Sequence, residues 1–485
     1  MPVFTPGNRS QSVFHPLKKQ PLGVRLLGRL ERVVKGPLFG CRMCGNCLLQ
    51  ETAFICPMTC PKGLRNGPCG GSTSEMCYVD ERYPCVWYKI YERAFNMGRE
   101  EMLLEVLPPL DWDRVGGNTW DDVWQQVRRV GVKKVVSGLA TRDAAQRART
   151  WDSVFQPVRQ PDWWQGDSEY HPPAYDEPAS ELERRLRAGE FVVAAEIAPP
   201  QTVKTNKLRE HIQAIRPYVA AINFTDNPSA TPRMSSQACS MVALEYGADP
   251  IMQLTARDRT RTGLQSEVIG ANALGVRNML VIAGDHSRLG PRPMSRADVV
   301  DVDAVQELWI LRRMRDEGQY LGGKTIKFPP RFFLGAAASP FASEPRFQAL
   351  REHKKVNAGA QFFQTNVVFD PDGLDIWLGE LDKRGILDKV YILIGITPLK
   401  NLRVAQYMHE NVPGIKVPQH ILKRMEAAGD NAAEEGVTIT LELIEAVRRK
   451  PGVNGVHIMA VGWEDIVPRI VTEAGLAPNP LPTDS

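Results

Sequence analysis

From residue 191 onward, short apolar runs recur at intervals of a few tens of residues: FVVAAEIA (191–198), AAINFTD (220–226), DPIMQLTA (249–256), NMLVIAGD (278–285), RFFLGAAA (331–338), QFFQTNVV (361–368), KVYILIGIT (389–397) and GVHIMAV (455–461). Each is continuously apolar rather than alternating, the pattern of strands buried on both faces. Helix-like stretches lie between them, among them TNKLREHIQAIRP, LQSEVIGANALG, EPRFQALREHKKVNAG and TITLELIEAVRRK. Eight buried strands alternating with helices predict an α/β fold, a (β/α)₈ TIM barrel. No G-x-G-x-x-G follows the first strand, which argues against a doubly wound sheet.

The chain ahead of these runs reads differently. LGVRLLGRLERVVKG (22–36) has the period of a basic amphipathic helix, suited to packing on a partner or on the barrel. Residues 86–155 carry helical patterning and the strand-like VKKVVSGLA (132–140), an expected α/β scaffold. QPDWWQGDSEYHPPAYDEPAS (160–180) is rich in Pro, aromatic and acidic residues without sustained period, and reads as a linker laid over a surface. ELERRLRAGE (181–190) reads as a short helix. The expected division is a cysteine-rich module over 1–155, a linker over 156–184 and the barrel over 185–485.

Composition narrows the classes. The 485 residues are 43% hydrophobic and 24% charged with a formal charge of +4, so nothing calls for nucleic acid or an anionic membrane. The start, MPVFTPGNRSQSVFHPLKK, has no apolar h-region, and no run of 18 apolar residues exists, so a cytoplasmic protein is expected. In a reducing compartment clustered cysteines are metal ligands more often than disulfides.

Barrels of this kind place chemistry at the C-terminal ends of their strands. Those ends supply Glu196, Thr225, Asp226, Gln253, Thr255, Asp285, Gln364, Asn366 and Thr397. A carboxylate at Glu196 would face a partly dry pocket, which raises its pKa and suits it to proton donation near neutrality. A structural ion pair is the plainer alternative. Asp285 has a similar case, against the alternative of a helix N-cap.

At these residues the chain resembles the methylenetetrahydrofolate reductase family of flavin-dependent barrels. AAEIAPP is similar to the family's first-strand E-x-x-P-P motif, NFTDNPSA to its second-strand motif, IAGD to its fourth-strand G-D motif, and KKVNAGAQFFQTNVVFD to its K-x-x-AGA…T-Q-x-x-F-D segment. The resemblance implies a flavin at the barrel mouth and a folate against it. It implies Glu196 as the general acid that protonates N10 of the folate, opening the ring to an iminium that takes hydride from the flavin. It implies Asp285 beside pterin and flavin, where negative charge stabilises the cation. It further implies Thr225, Asp226, Thr255, His286, Ala338, Lys354 and Lys355 as cofactor lining, and Gln253, Gln364, Asn366 and Thr397 with Glu196 and Asp285 as substrate lining. Without the resemblance, the two lysines read equally as a solvated helix face.

Two departures stand out. Asn366 occupies the position where the family has Gln, with Gln364 two residues earlier expected on the same face. Ala283 occupies the place of an arginine in the fourth-strand turn. FAD and FMN both remain open.

Eight of the nine cysteines fall within the first 85 residues. Cys41, Cys44 and Cys47 have C-x₂-C-x₂-C spacing, and Cys56 and Cys60 each precede a proline. With Cys69 these form the candidate metal ligands, and the triple run favours a [4Fe–4S] cluster over zinc. Cys41/Cys44 with Cys56/Cys60 would make two zinc knuckles, the rival reading. The segment resembles a cysteine-rich companion module of such reductases in acetogenic bacteria, which implies electron transfer or docking of a redox partner. The expected function is interconversion of 5,10-methylene- and 5-methyltetrahydrofolate, with NAD(P)H or a redox protein as donor and a homo-oligomer compatible with it. The alternatives are a flavin-free folate-dependent methyltransferase and a zinc-stabilised scaffold with a degenerate barrel.

Overall fold

The eight apolar runs become eight parallel strands: β1 Val192–Ile197, β2 Ala221–Phe224, β3 Pro250–Thr255, β4 Asn278–Ile282, β5 Phe333–Ala338, β6 Phe362–Val367, β7 Tyr391–Ile396 and β8 Val453–Ile458. Each pairs with the next and β8 pairs with β1, closing the barrel. The structure, a computed structural model, describes residues 22–476 apart from 116, 155–160, 162, 292–299 and 413. The reading of the first nineteen residues lies outside these, as do residues 156–160 and 162 of the expected linker.

Burial on both faces explains why the runs are uninterrupted. One face of each strand meets the outer helices; inward residues at the floor form their own cluster. There Val192, Ala221, Ile251, Leu280, Phe333 and Phe362 pack beneath Leu182 and Leu186, from the helix Glu181–Arg187 that plugs the bottom. The rings of Phe333 and Phe362 stack at 4.6 Å. Gly335 is required at this level, because a Cβ there would sit 2.3 Å from the Phe362 ring. The floor is therefore filled, and open chemistry is confined to the C-terminal mouth.

Ahead of the barrel the described residues contain helices and no strand. The strand-like VKKVVSGLA is the helix Val132–Ala140. Its β-branched residues suggested a strand, but Val132, Val135, Val136 and Leu139 recur at i, i+3, i+4 and i+7, and that helical period wins. The expected α/β scaffold is thus helical. The helix Leu22–Phe39 packs on the helix Trp120–Val130 rather than on the barrel. Buried Glu31 fastens it there, accepting from the Thr119 backbone N–H (2.9 Å) and from Lys35 (2.7 Å). Leu26, Leu30, Val33 and Leu38 stay exposed.

The helix Val86–Asn96 ties this region to the barrel. Trp87, Tyr88, Ile90 and Tyr91 share one core with Phe347 and Leu350 of the helix Pro345–Asn357, and Gln348 donates to the Tyr88 hydroxyl at 2.8 Å. The segment after residue 162 lies along the barrel flank. Trp164 is buried against Trp309 and donates to the Val106 carbonyl at 3.1 Å, and Asn357 donates to the Ser168 carbonyl.

Candidate functional site

A polar layer crosses the barrel interior above the apolar floor. Gln253 Nε2 on β3 donates to Glu196 Oε2 on β1 at 3.1 Å. His457 Nε2 on β8 lies 3.7 Å from the same oxygen and 3.2 Å from Asn223 Nδ2 on β2. Asn223 and Gln364, on β2 and β6, exchange two amide hydrogen bonds. Five strands thus contribute one side chain each, because every one of these residues occupies an inward position of its strand.

The electrostatics follow from the dryness of the layer. Burial pushes the Glu196 carboxyl up to about 7; the Gln253 hydrogen bond pulls against this and nearby Glu464 adds to it. Burial drives His457 down to about 3, so at neutral pH the imidazole is uncharged and no ion pair stabilises the carboxylate. Glu196 is 11% exposed, enough to meet a ligand entering the mouth. A carboxyl titrating near neutrality at an open barrel mouth can give or take a proton under working conditions.

Asp285 sits in the turn after β4. Its Oδ2 accepts from the Ser229 backbone N–H at 2.7 Å, joining the mouth loops that follow β2 and β4. This is not a helix N-cap: the short helix Ser287–Leu289 is capped by His286, which accepts from Arg288 N through Nδ1. Ala283 lacks the arginine of the resembling motif, yet a guanidinium reaches the turn from the next loop. Arg257 donates to the Asp285 carbonyl at 2.9 Å and to the Asn227 carbonyl at 3.1 Å. From the cysteine-rich region, Lys62 donates to the Gly284 carbonyl at 2.6 Å and to the Tyr78 hydroxyl at 3.1 Å, and that hydroxyl accepts from His286 N at 3.0 Å.

The remaining expected lining residues separate into two sets. Asp226 and Thr255 satisfy each other: the Thr255 backbone N–H and hydroxyl both donate to Asp226 Oδ2 at 2.8 Å, and Arg259 completes the ion pair. Lys354 and Lys355 are buried, not a solvated helix face. Lys355 pairs with Glu352 at 2.8 Å and donates to the Ala337 carbonyl beside Ala338. Burial lowers Lys354 to about 7 and Lys355 to about 8. By contrast Thr225 Oγ1 is buried without a hydrogen-bond partner. Gly284, at φ +65°, leaves open a place where a Cβ would come 3.0 Å from Thr255. An orphaned hydroxyl and a bare backbone at the mouth fit a planar polar guest such as a flavin.

On β6, Gln364 and Asn366 go to different partners. The β6–β7 register slips between Gln364 and Val367, and such an irregularity re-aims side chains. Gln364 is spent on Asn223, while Asn366 Oδ1 accepts from Val367 N at 2.9 Å. Thr397 lies just beyond β7 at the mouth. The sequence reading missed His457, Asn223, Arg257 and Lys62. The first two were signalled by polar residues inside apolar runs; the loop cations had no comparable signal.

All nine cysteines are free thiols. The six candidate ligands divide between two surroundings. Cys41, Cys44, Cys47 and Cys56 line a single cavity together with Lys35 and Met58. Cys60 and Cys69 lie instead in a buried cluster that includes Cys85. Burial pushes Cys56 up to about 12 and Cys60 to about 11, so without a metal these thiols stay protonated. Among the described residues no three His, Cys, Asp or Glu donors gather closely enough for a single ion. Four cysteines lining one cavity are a candidate ligand set for a metal centre.

Comparison with known proteins adds the following. A family model described as methylenetetrahydrofolate reductase matches residues 181–475. A second, described as methylene-tetrahydrofolate reductase C terminal, matches residues 25–113, here ahead of the barrel. The chain is similar to methylenetetrahydrofolate reductase 1 of Schizosaccharomyces pombe, with 23% identity over 248 residues, 49% of this chain and 37% of that protein. It therefore matches well under half the length of that relative. Among solved structures it is similar to a Clostridium thermocellum protein described as binding two copies of 5-methyl-5,6,7,8-tetrahydrofolic acid (TM-score 0.44, 16% identity, 61% of this chain and 97% of that one). It is also similar to the spore cortex-lytic enzyme SleL of Bacillus cereus (TM-score 0.34, 13% identity, 59% and 74%).

Proposed function

The chain belongs to the methylenetetrahydrofolate reductase family, and from that premise we infer that it interconverts 5,10-methylene- and 5-methyltetrahydrofolate at the mouth of the barrel. The observation that carries this reading is Glu196, a carboxyl pushed to about 7 at the open end of the polar layer. Protonated, it donates to the folate nitrogen that must leave the methylene carbon. The uncharged His457 beside it leaves that proton in place instead of drawing it into an ion pair. Gln253 orients the carboxyl by its hydrogen bond to Oε2.

Asp285 places a carboxylate where positive charge develops on the opened folate, and its bond to Ser229 N fixes it there before substrate arrives. A flavin, FAD or FMN, would supply the hydride. Thr225 and the bare backbone of the Gly284 turn would receive it, with Ala338 and His286 nearby and Asp226, Thr255 and Lys355 bracing the walls. Lys354 contributes a buried amine facing Asp303 and Glu105. Asn366 and Thr397 line the folate side, while Gln364 acts on the folate only through Asn223 and the polar layer. We take residues 1–155 as a metal-carrying module that transfers electrons or docks a redox partner, 156–184 as its connection and 185–485 as the catalytic unit; NAD(P)H is the other candidate donor.

The test is the pH dependence of folate reduction by the anaerobically purified, flavin-bearing chain. The rate is expected to fall about tenfold per pH unit above about 7, and Glu196→Gln is expected to abolish that limb while leaving cofactor reduction intact. A colourless protein, or a Glu196→Gln variant with wild-type folate turnover, overturns the reading.

A further inference from the structure

We propose that the eight cysteines before residue 86 build two separate iron–sulfur sites in series: an outer one of Cys41, Cys44, Cys47 and Cys56, and an inner one of Cys60, Cys69, Cys77 and Cys85 set against the barrel mouth. The thiols of the first set line one cavity. Those of the second are all buried, between 6% and 8% exposed. The partition recurs in the charges each thiol feels most. Cys41, Cys47 and Cys56 all feel Cys44, and Cys56 also feels Cys41. Cys60 feels Cys69 and Cys77, and Cys85 feels Cys69 and Cys60.

A second observation is independent of the sulfurs. Each set faces a buried cation, and the one at the inner set has no carboxylate among its hydrogen-bond partners. Arg65, 3% exposed, donates its guanidinium protons to the Pro108 and Asn46 carbonyls and to the Met58 sulfur and its backbone N–H to Asp303 Oδ2, and it faces Cys44, Asp303, Cys56 and Cys47. Lys62, 4% exposed, donates to Tyr78 and Gly284 and faces Cys60 and Cys69. Buried charges are ordinarily paired. Four metal-bound thiolates leave an iron–sulfur cluster anionic; at the inner set that anion supplies the counter-charge Lys62 lacks, and at the outer set it adds to the Asp303 carboxylate that Arg65 already feels. The outer loop also holds Met43, Ala53 and Phe54 at positive φ, strain that accumulates where a ligand shell dictates the backbone.

Position sets the order of the two sites. Cys41, Cys44 and Cys47 are partly exposed. Cys69 is followed by Gly70, whose missing Cβ would sit 2.6 Å from the hydroxyl of Ser339, just past β5. Lys62 links the inner set to the turn that carries Asp285. An external one-electron reductant, an iron–sulfur carrier protein, can thus reach the outer site while the inner one abuts the catalytic mouth. Two one-electron sites match the reaction's demand: methylene to methyl takes up two electrons and two protons, one proton on carbon and one on nitrogen. The relay's purpose rests on the reductase reading; the two sites themselves do not.

The experiment is iron and acid-labile sulfide analysis of the anaerobically purified full chain, with electron paramagnetic resonance after dithionite reduction. About eight iron and eight sulfide per chain are expected, with spectra broadened by coupling between two reduced centres. The pair Cys44→Ala/Cys47→Ala and the pair Cys69→Ala/Cys77→Ala should each remove half of the iron, keep the flavin and leave one uncoupled centre. About four iron in the wild type, loss of all iron from either flavin-retaining pair, or zinc in either set overturns the proposal. If a variant fails to fold, wild-type stoichiometry and coupling decide alone. Full iron in a chain that binds no flavin and turns over no folate sinks the reductase reading and leaves the two sites standing.

Discussion

In the barrel mouth, polar groups are held by one another: Glu196 by Gln253, Asn223 by Gln364, Asp226 by Thr255 and Arg259. In the cysteine-rich loops they are not. Lys62 is buried without a carboxylate on its ammonium, and eight thiols stand without a disulfide. The barrel's backbone is fixed by a closed ladder, so most of its polar layer is set before any ligand arrives, with the Thr225 hydroxyl left open. The loops have no ladder, and their backbone includes residues at positive φ. One region is organised by its fold; the other is arranged to be completed by a guest. That contrast can be broken from either side.

The largest effect is expected at the barrel. Glu196→Gln should lower folate turnover by about 10²–10⁴-fold with flavin content and cooperative unfolding retained, read by steady-state kinetics and absorbance. Loss of flavin or of the cooperative unfolding transition instead would make Glu196 structural and erase the contrast.

Next comes the loop. Gly45 sits at φ +70°, and a Cβ there would lie 1.8 Å from the Arg114 carbonyl oxygen. Gly45→Ala is expected to cost more than the roughly 1–3 kcal/mol of the strained conformation alone. Metal content should fall while the barrel's unfolding transition stays in place, by metal analysis and calorimetry.

A smaller effect concerns the barrel floor. Asp249 accepts from Leu182 N (2.9 Å) and Asn278 Nδ2 (2.7 Å), and burial raises it to about 7. A carboxyl raised on folding favours the protonated folded state, so stability from Asp249 and Glu196 declines as pH rises from about 4 to 7. Buried His457 and His353, lowered to about 3 and about 4, run the other way, losing stability as pH falls below about 6.5. Asp249→Asn should therefore be compared with wild type: the difference in unfolding free energy should change by a few kcal/mol between pH 4 and 7 and level off above. A pH-independent difference would contradict the burial.

The smallest effect is expected for Asn366→Gln, which lengthens the amide now folded onto Val367 N. The KM for folate should shift by less than about tenfold with kcat held. A large kcat change would place Asn366 closer to the reaction than the register slip in β6 suggests.

Much of the barrel was legible in the sequence because strands buried on both faces must be apolar throughout, and a run such as KVYILIGIT has no other economical place to go. Glu196 was legible for the same reason: an acid inside VVAAEIAPP interrupts an otherwise apolar strand. His457 in GVHIMAV carries the same kind of signal and was passed over. VKKVVSGLA was misread because β-branched composition was weighed above its i, i+3, i+4 spacing. Arg257 and Lys62 were beyond reach, since a cation in a loop looks the same whether it meets solvent or a turn.

The sequence by itself determined the eightfold alternation, the acid at the first strand and the concentration of thiols before residue 86, because periodicity and residue type are local properties. Only the tertiary structure decided how those thiols divide. Cys56 and Cys60 are four residues apart, yet Cys56 lines the outer cavity with Cys41, Cys44 and Cys47, while Cys60 lies in the buried cluster with Cys69 and Cys85. Spacing along the chain limits which sulfurs can meet; the turn through Pro57–Thr59 and the packing of the loops against the barrel select those that do.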